Sequence, residues 1–180
     1  FVERNVFKTD LSSASVVTIY LLPEYNAALK PRLYALKPGT RIVSHDYGIG
    51  DWQPDESRKV PAPDKPVGFE KASWIYYWMV PAKVAGQWRA SGTRAKSANA
   101  MELSLNQRNQ KVSGSLTIGA RKFTIEQAVL KGESLTFEFN QGNRAGHFEG
   151  RFKGERLSGE LLIGNSRRVW NAARVAAPKG

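Results

Sequence analysis

The stretch WIYYWMVPAKVAG, Trp74–Gly86, divides the chain into two patterns. Upstream of it, continuous apolar runs alternate with a segment of helical spacing. Downstream, from Gln87, the period falls to two. Met101, Leu103 and Leu105 alternate with Glu102, Ser104 and Asn106. Leu135, Phe137 and Phe139 alternate with Thr136 and Glu138. Strict alternation of this kind marks half-buried antiparallel strands. A loose repeat recurs in VSGSL, FEGRF and LSGEL, with glycines falling at strand ends as turns or inside strands as bulges. Seven or eight short strands at this spacing predict a meander closing into a small barrel or a sandwich.

Working back from the junction, Ser73–Val80 (SWIYYWMV) reads as an aromatic strand. Residues 46–72 are polar and rich in Gly, Pro and Asp, a long loop with a short strand at Ser57–Val60. A hairpin between that strand and Ser73–Val80 would make the antiparallel edge found on many α/β sheets. Arg41–His45 starts a strand. Ser15–Leu22 (SVVTIYLL) has the character of a strand buried on both faces. Pro23 suits a first helical position. Tyr25, Leu29, Leu33 and Leu36 follow near helical spacing, and Pro31 predicts a kink or two short helices. Pro38-Gly39 is a stop signal. Residues 1–7 read as a short strand and a turn. The fold class expected is α+β, with a boundary between residues 1–85 and 86–180.

The chain has 180 residues and no cysteine, which excludes disulfides and thiolate chemistry. No run approaches the roughly 18 apolar residues of a spanning helix. There is no signal peptide, and the start at Phe1 reads as processed or truncated, so no compartment is assigned. The formal net charge is +11. Residues 1–85 hold 11 Lys and Arg against 9 Asp and Glu, and residues 86–180 hold 16 against 7. The excess belongs to the second region and favours acidic partners. Nucleic acid is disfavoured, because no aromatic platform is interleaved with the basic residues.

Three stretches resemble a class I S-adenosylmethionine-dependent methyltransferase. FVERNVFKTDLS (1–12) resembles the segment after the family's third strand, which contacts adenine. VVTIYLLPEYN (16–26) resembles the fourth strand, and LKPGTRIVSH (36–45) the approach to the fifth. With GDWQPD (50–55), the combination is similar to a bacterial subgroup related to lysine methyltransferases. The resemblance covers residues 1–85 and implies the C-terminal half of a Rossmann-like methyltransferase domain, a partial α/β sheet. The glycine-rich loop and the acidic ribose-binding residue of the front half have no counterpart here. S-adenosylmethionine is therefore implied for a parent protein, with no tight binding by this chain alone. Asn5 takes the place of the family's adenine-binding acid, and its amide oxygen can still accept a hydrogen bond. Asn5, Val6, Tyr20 and Leu21 are the implied cofactor contacts.

The resemblance assigns no catalytic residue. Substrate-side candidates are Tyr20, Leu22, Pro23 and Trp52. Tyr20 would orient an acceptor amine, or be a half-buried strand aromatic. Asp51, Asp55 and Glu56 around Trp52 would receive a lysine, or form a solvated loop. GIGDW (48–52) reads as a substrate-side loop. His45 beside Asp46 could be a base or a metal ligand, but with only two histidines the structural role is favoured and no metal is expected. The implied parent activity is methyl transfer to a protein lysine. The alternative is a non-catalytic basic β module binding an anionic or protein partner. If the family's first strand is missing, Val16–Leu22 presents an open edge through which a homo-oligomer could form. Trp88 and Trp170 would pack together across a closing barrel.

Overall fold

The computed structural model describes residues 2–66, 70–90, 100–142 and 144–175. It contains two compact units, Phe1–Val80 and Pro81–Gly180. The division falls five residues before the change of period at Gly86.

The first unit runs β1 (Val16–Ile19), α1 (Pro23–Tyr34), β2 (Arg41–His45), β3 (Glu56–Pro61) and β4 (Ala72–Met79). The sheet order is β1-β2-β4-β3. β1 and β2 are parallel, and α1 is the crossover between them. β4 is antiparallel to both β2 and β3. The β-branched run Val16–Ile19 suits a pleated surface. Pro23 occupies the first helical turn, where a missing N–H costs nothing. Gly39 takes a φ of +89°, which a Cβ would strain, and turns the chain from α1 into β2. Its N–H donates to Val80 O at 2.8 Å. Ile19, Leu29, Leu33, Ile42, Ile49, Trp52, Trp78 and Val80 form the core of this unit.

Three expectations are corrected here. β1 is not buried on both faces, and only Ile19 of its four residues is buried. The reason is its place at the edge, with β2 as its one partner. α1 is one continuous helix with Pro31 inside it. Pro31 and Ala27 are both exposed, so solvent can serve the carbonyl that Pro31 leaves free. Residues 2–5 are not a strand, and a turn follows at 6–8. Phe1 lies outside the described residues. Asn5 builds the turn, its Oδ1 accepting from Phe7 N at 2.9 Å.

The second unit is an antiparallel sheet of β5 (Gly86–Ala90), β6 (Met101–Arg108), β7 (Lys111–Ile118), β8 (Arg121–Thr124), β9 (Glu126–Lys131), β10 (Ser134–Gln141), β11 (Arg144–Lys153), β12 (Arg156–Ile163) and β13 (Ser166–Arg174). The order is β8-β7-β6-β5-β13-β12-β11-β10-β9, a nearly closed, barrel-like sheet. Nine strands are described where the period suggested seven or eight. The extra one arises because only Ile125 separates β8 from β9. Ile125 N donates to Gly114 O at 3.2 Å, which ties this corner to β7. The inner face carries Trp88, Leu103, Leu105, Leu116, Leu135, Phe137, Phe139, Phe148, Phe152, Leu157, Leu161 and Trp170. Trp88 and Trp170 share this core, but each meets a phenylalanine. Trp88 lies edge-on to Phe152 at 4.7 Å, and Trp170 edge-on to Phe148 at 6.0 Å.

Several in-strand glycines are floors for aromatic rings rather than turns. A Cβ on Gly146 would lie 2.1 Å from the Phe139 ring, and one on Gly150 2.5 Å from Phe148. Gly150 and Gly159 are register partners, so the Phe148 ring lies over a flat patch of backbone.

Candidate functional site

β1 and β2 are parallel, so their carboxyl ends lie on one side of the sheet. In open α/β sheets that is where ligands bind. β1 ends at Ile19, and Tyr20, Leu21 and Leu22 lead into α1. β2 ends at His45, and Asp46 turns the chain with a φ of 61°, a conformation that Asp tolerates better than most residues. Between these ends lies a cleft of about 440 Å³. Tyr20, Leu21, Leu22 and Tyr25 line it from β1 and α1. His45, Asp46, Tyr47 and Lys65 line it from the other side.

The cleft is held by a buried polar staple. Asn26 on α1 is fully buried. Its Nδ2 donates to Ser44 Oγ at 3.2 Å and to Tyr47 O at 3.3 Å. Ser44 Oγ donates to Tyr47 O at 2.7 Å. The helix is thereby fixed to the end of β2, and Tyr47 is placed. The helical spacing suggested Tyr25 for the buried face, but Asn26, Leu29 and Leu33 occupy it. Tyr25 faces out and lines the cleft.

Asp46 is the electrostatic centre of the other wall. Lys65 Nζ lies 2.7 Å from its Oδ2, and Trp74 N donates to its Oδ1 at 2.8 Å. Asp46 N donates in turn to Trp74 O at 2.7 Å. Burial works to raise the Asp46 carboxyl. The Lys65 ammonium, the Trp74 N–H and His45 together outweigh it and hold the pKa below the ordinary value. His45 Nδ1 is buried 3.5 Å from Asp46 Oδ2, too long for a good hydrogen bond, and has no hydrogen-bond partner among the described residues. The His45 ring lies 4.8 Å from that of Tyr20, tilted by 49°.

Of the sequence candidates, Tyr20, Leu21 and Leu22 come together in the cleft. Pro23 is exposed at the first turn of α1 and does not line it. Trp52 is corrected: it is 1% exposed, packed edge-on to Tyr34 at 5.3 Å and 6.2 Å from the Trp78 ring. Trp78 Nε1 donates to Trp52 O at 2.9 Å. The acidic loop around it is likewise engaged. Asp51 pairs with Lys30, and Asp55 Oδ2 accepts from Met79 N at 2.7 Å. Within GIGDW, Ile49 and Trp52 are buried, whereas Gly48, Gly50 and Asp51 are exposed.

Asn5 and Val6 sit in the N-terminal turn. Phe7 from this turn lies 6.3 Å from the Tyr25 ring, and Arg32 donates to Phe7 O and Thr9 O. Asn5 Oδ1 already accepts from Phe7 N, leaving one lone pair for a ligand. Neither Asn5 nor Val6 lines the cleft. Nothing in the described residues supplies the methionine cradle or the ribose carboxylate. Of the cleft's far wall, Lys65 is the residue the sequence does not mark. His45-Asp46 was legible as a pair, but Lys65 comes from a loop whose return to β2 no local pattern marks. Among the described residues no cluster of ligands could hold a metal ion.

Residues 1–56 match the ANTKMT methyltransferase domain family. A curated relative, a protein-lysine N-methyltransferase of Saccharolobus islandicus (strain REY15A), is 52% identical over 60 residues. The match covers 33% of this chain and 37% of that relative, so the chain spans little more than a third of its length. A solved structure titled an RNA methyltransferase from Salinibacter ruber in complex with S-adenosyl-L-homocysteine is 39% identical. It covers 47% of this chain and 49% of that chain, with a TM-score of 0.37. The start of the first unit is thus similar in sequence to methyltransferases.

Proposed function

We propose that the first unit is the C-terminal part of a Rossmann-like methyltransferase domain, and that the whole protein transfers a methyl group from S-adenosylmethionine to a protein lysine. The observation that carries this is the 52% identity to a protein-lysine N-methyltransferase. The parallel β1–α1–β2 unit with a cleft at its carboxyl end supports it. When bound, the cofactor supplies an electrophilic methyl group. What this chain contributes is an aromatic wall. Tyr20 and Tyr25 would confine the acceptor side chain, favouring a cationic or amine head over their ring faces. Tyr20 and His45 would orient it, since such transfer depends mainly on positioning. The free edge of β1 would be covered in the whole domain, or by a second copy of this chain.

The test joins residues 1–180 to the preceding half of the domain and supplies labelled S-adenosylmethionine with lysine peptides and RNA. Label on the lysine ε-amine is expected. Label on RNA, or none on either, rejects the proposal. Calorimetry on the present chain alone should show no micromolar affinity for S-adenosylmethionine. Micromolar binding would mean that another surface supplies the missing wall.

A further inference from the structure

The two ends of the β barrel differ in how their inward-facing polar residues are satisfied. At one end Gln107 and Arg174 point inward by register, following Leu105 on β6 and Ala172 on β13. A strap at residues 81–85 closes over them. Gln107 Oε1 accepts from Val84 N at 2.7 Å, and its Nε2 donates to Ala82 O at 2.9 Å. Arg174 donates to Lys83 O and Ala85 O and pairs with Glu155 at 2.6 Å. Val84 is fully buried beneath. This end is stoppered and its charges are matched.

The other end gathers the starts of β8, β11 and β13. Arg121 pairs with Ile118 in register, Arg144 with Gln141, and Arg168 with Leu161. Ile118 and Leu161 belong to the core face, and Gln141 lies two residues beyond Phe139 on that same face. Partners in an antiparallel ladder share a face, so three arginines have inward parity at one mouth. The neighbouring acids Glu102, Glu138 and Glu160 alternate to the outer face. The described ion pairs of this unit use Arg89, Arg151, Arg167 and Arg174. Arg121, Arg144 and Arg168 take part in none of them. Arg121, Gln141, Gly142 and Arg144 line an open cleft of about 460 Å³. Two residues further along the same strands, the Phe123 and Phe139 rings lie 5.6 Å apart.

We propose that this mouth is a binding site for a phosphate-bearing anion, held by Arg121 and Arg144 with Gln141 as a neutral donor. Guanidinium forks match phosphate oxygens bidentately. Barrel mouths are frequent ligand sites. The same chemistry could come from free orthophosphate or from a phosphate monoester.

The test is an amide and arginine-Nε NMR titration of the 180-residue chain with orthophosphate and with phenyl phosphate at constant ionic strength. Saturable shifts are expected at Gly119, Gly142 and the Nε–H groups of Arg121 and Arg144. Tighter binding of phenyl phosphate assigns the site to esters, and tighter binding of orthophosphate to the free ion. An Arg121→Gln/Arg144→Gln double variant should lose at least about tenfold in affinity. The Nε–H shifts test the assignment in the unaltered protein, whether or not that variant folds. Three results would overturn the proposal: no saturable shift, shifts centred on Gly132 and Gly154 at the stoppered end, or equal affinity in a folded double variant.

Discussion

Asp46 shows how a single residue couples the cleft to stability. It is held at positive φ by reciprocal bonds with Trp74 and by the Lys65 ammonium. Its folded pKa lies below the ordinary 3.8 despite the opposing effect of burial. A depressed carboxyl contributes stability that is complete above the unfolded value and is lost as pH falls through the folded one. Asp46→Asn should therefore lower the urea midpoint at neutral pH and converge with wild type only as the pH falls below 3.8 and through the depressed folded value. Parallel curves across that range would show that the carboxylate charge contributes nothing. The sequence displayed Asp46 beside His45, but not its partner, because the contact with Lys65 crosses a polar loop. Trp52 misled for the opposite reason. A tryptophan among acids looks like a binding loop, yet burial of its large ring in the core outweighs the polarity of its neighbours. Asn26 was hidden among apolar positions because a buried amide is recognisable only through its partners, here Ser44 and Tyr47.

At the scale of elements, β1 is the exposed flank of its sheet. It pairs with β2 alone, and the run of unpaired N–H and C=O groups is a template for another strand. Val17 packs partly into the core, whereas Val16 faces outward and is 41% exposed. Val16→Lys is therefore the variant that adds a charge to the edge without opening the core. Light scattering should show concentration-dependent self-association of the wild type and a shift towards monomer in the variant. A wild type that stays monomeric throughout would reject this role for the edge. The strands and the helix were legible as elements because their apolar runs are long. Their boundaries were not. The apolar run to Leu22 suggests strand to its end, but pairing with β2 stops at Ile19, opposite Ser44, and the chain turns off into α1 at Pro23. Pro31 suggests a kink or two short helices, yet an exposed proline near the end of a single helix is carried here.

For the whole molecule, the change of period located two regions but set their boundary at Gly86. The strap at residues 81–85 is apolar at Ala82 and Val84 and continues the alternation of Trp78 and Val80, so locally it extends the preceding strand. Its hydrogen bonds go instead to Gln107, Gly132 and Arg174 of the barrel. Burying Val84 and Ala82 is worth about 2–4 kcal/mol by area. A fragment of residues 81–180 should accordingly melt well above one of residues 86–180, read by circular dichroism. Equal melting temperatures would show that the strap is ornamental to the barrel.

The short corner at Ile125 has a further consequence. Arg121–Lys131 is in effect one bent strand shared between β7 and β10. Counted so, the ring has an even number of strands, which an all-antiparallel circle requires. Nearly every ladder then joins neighbours along the chain and can zip from its own hairpin. The exception is β13 with β5, where three described residue pairs, Ala172 with Ala90, Ala173 with Arg89 and Arg174 with Trp88, must meet across the whole intervening chain. The loop-closure entropy of the ring is concentrated at this one place. Arg174, with its guanidinium 4.3 Å above the Trp88 ring and its hydrogen bonds to the strap, is the clasp of the bracelet.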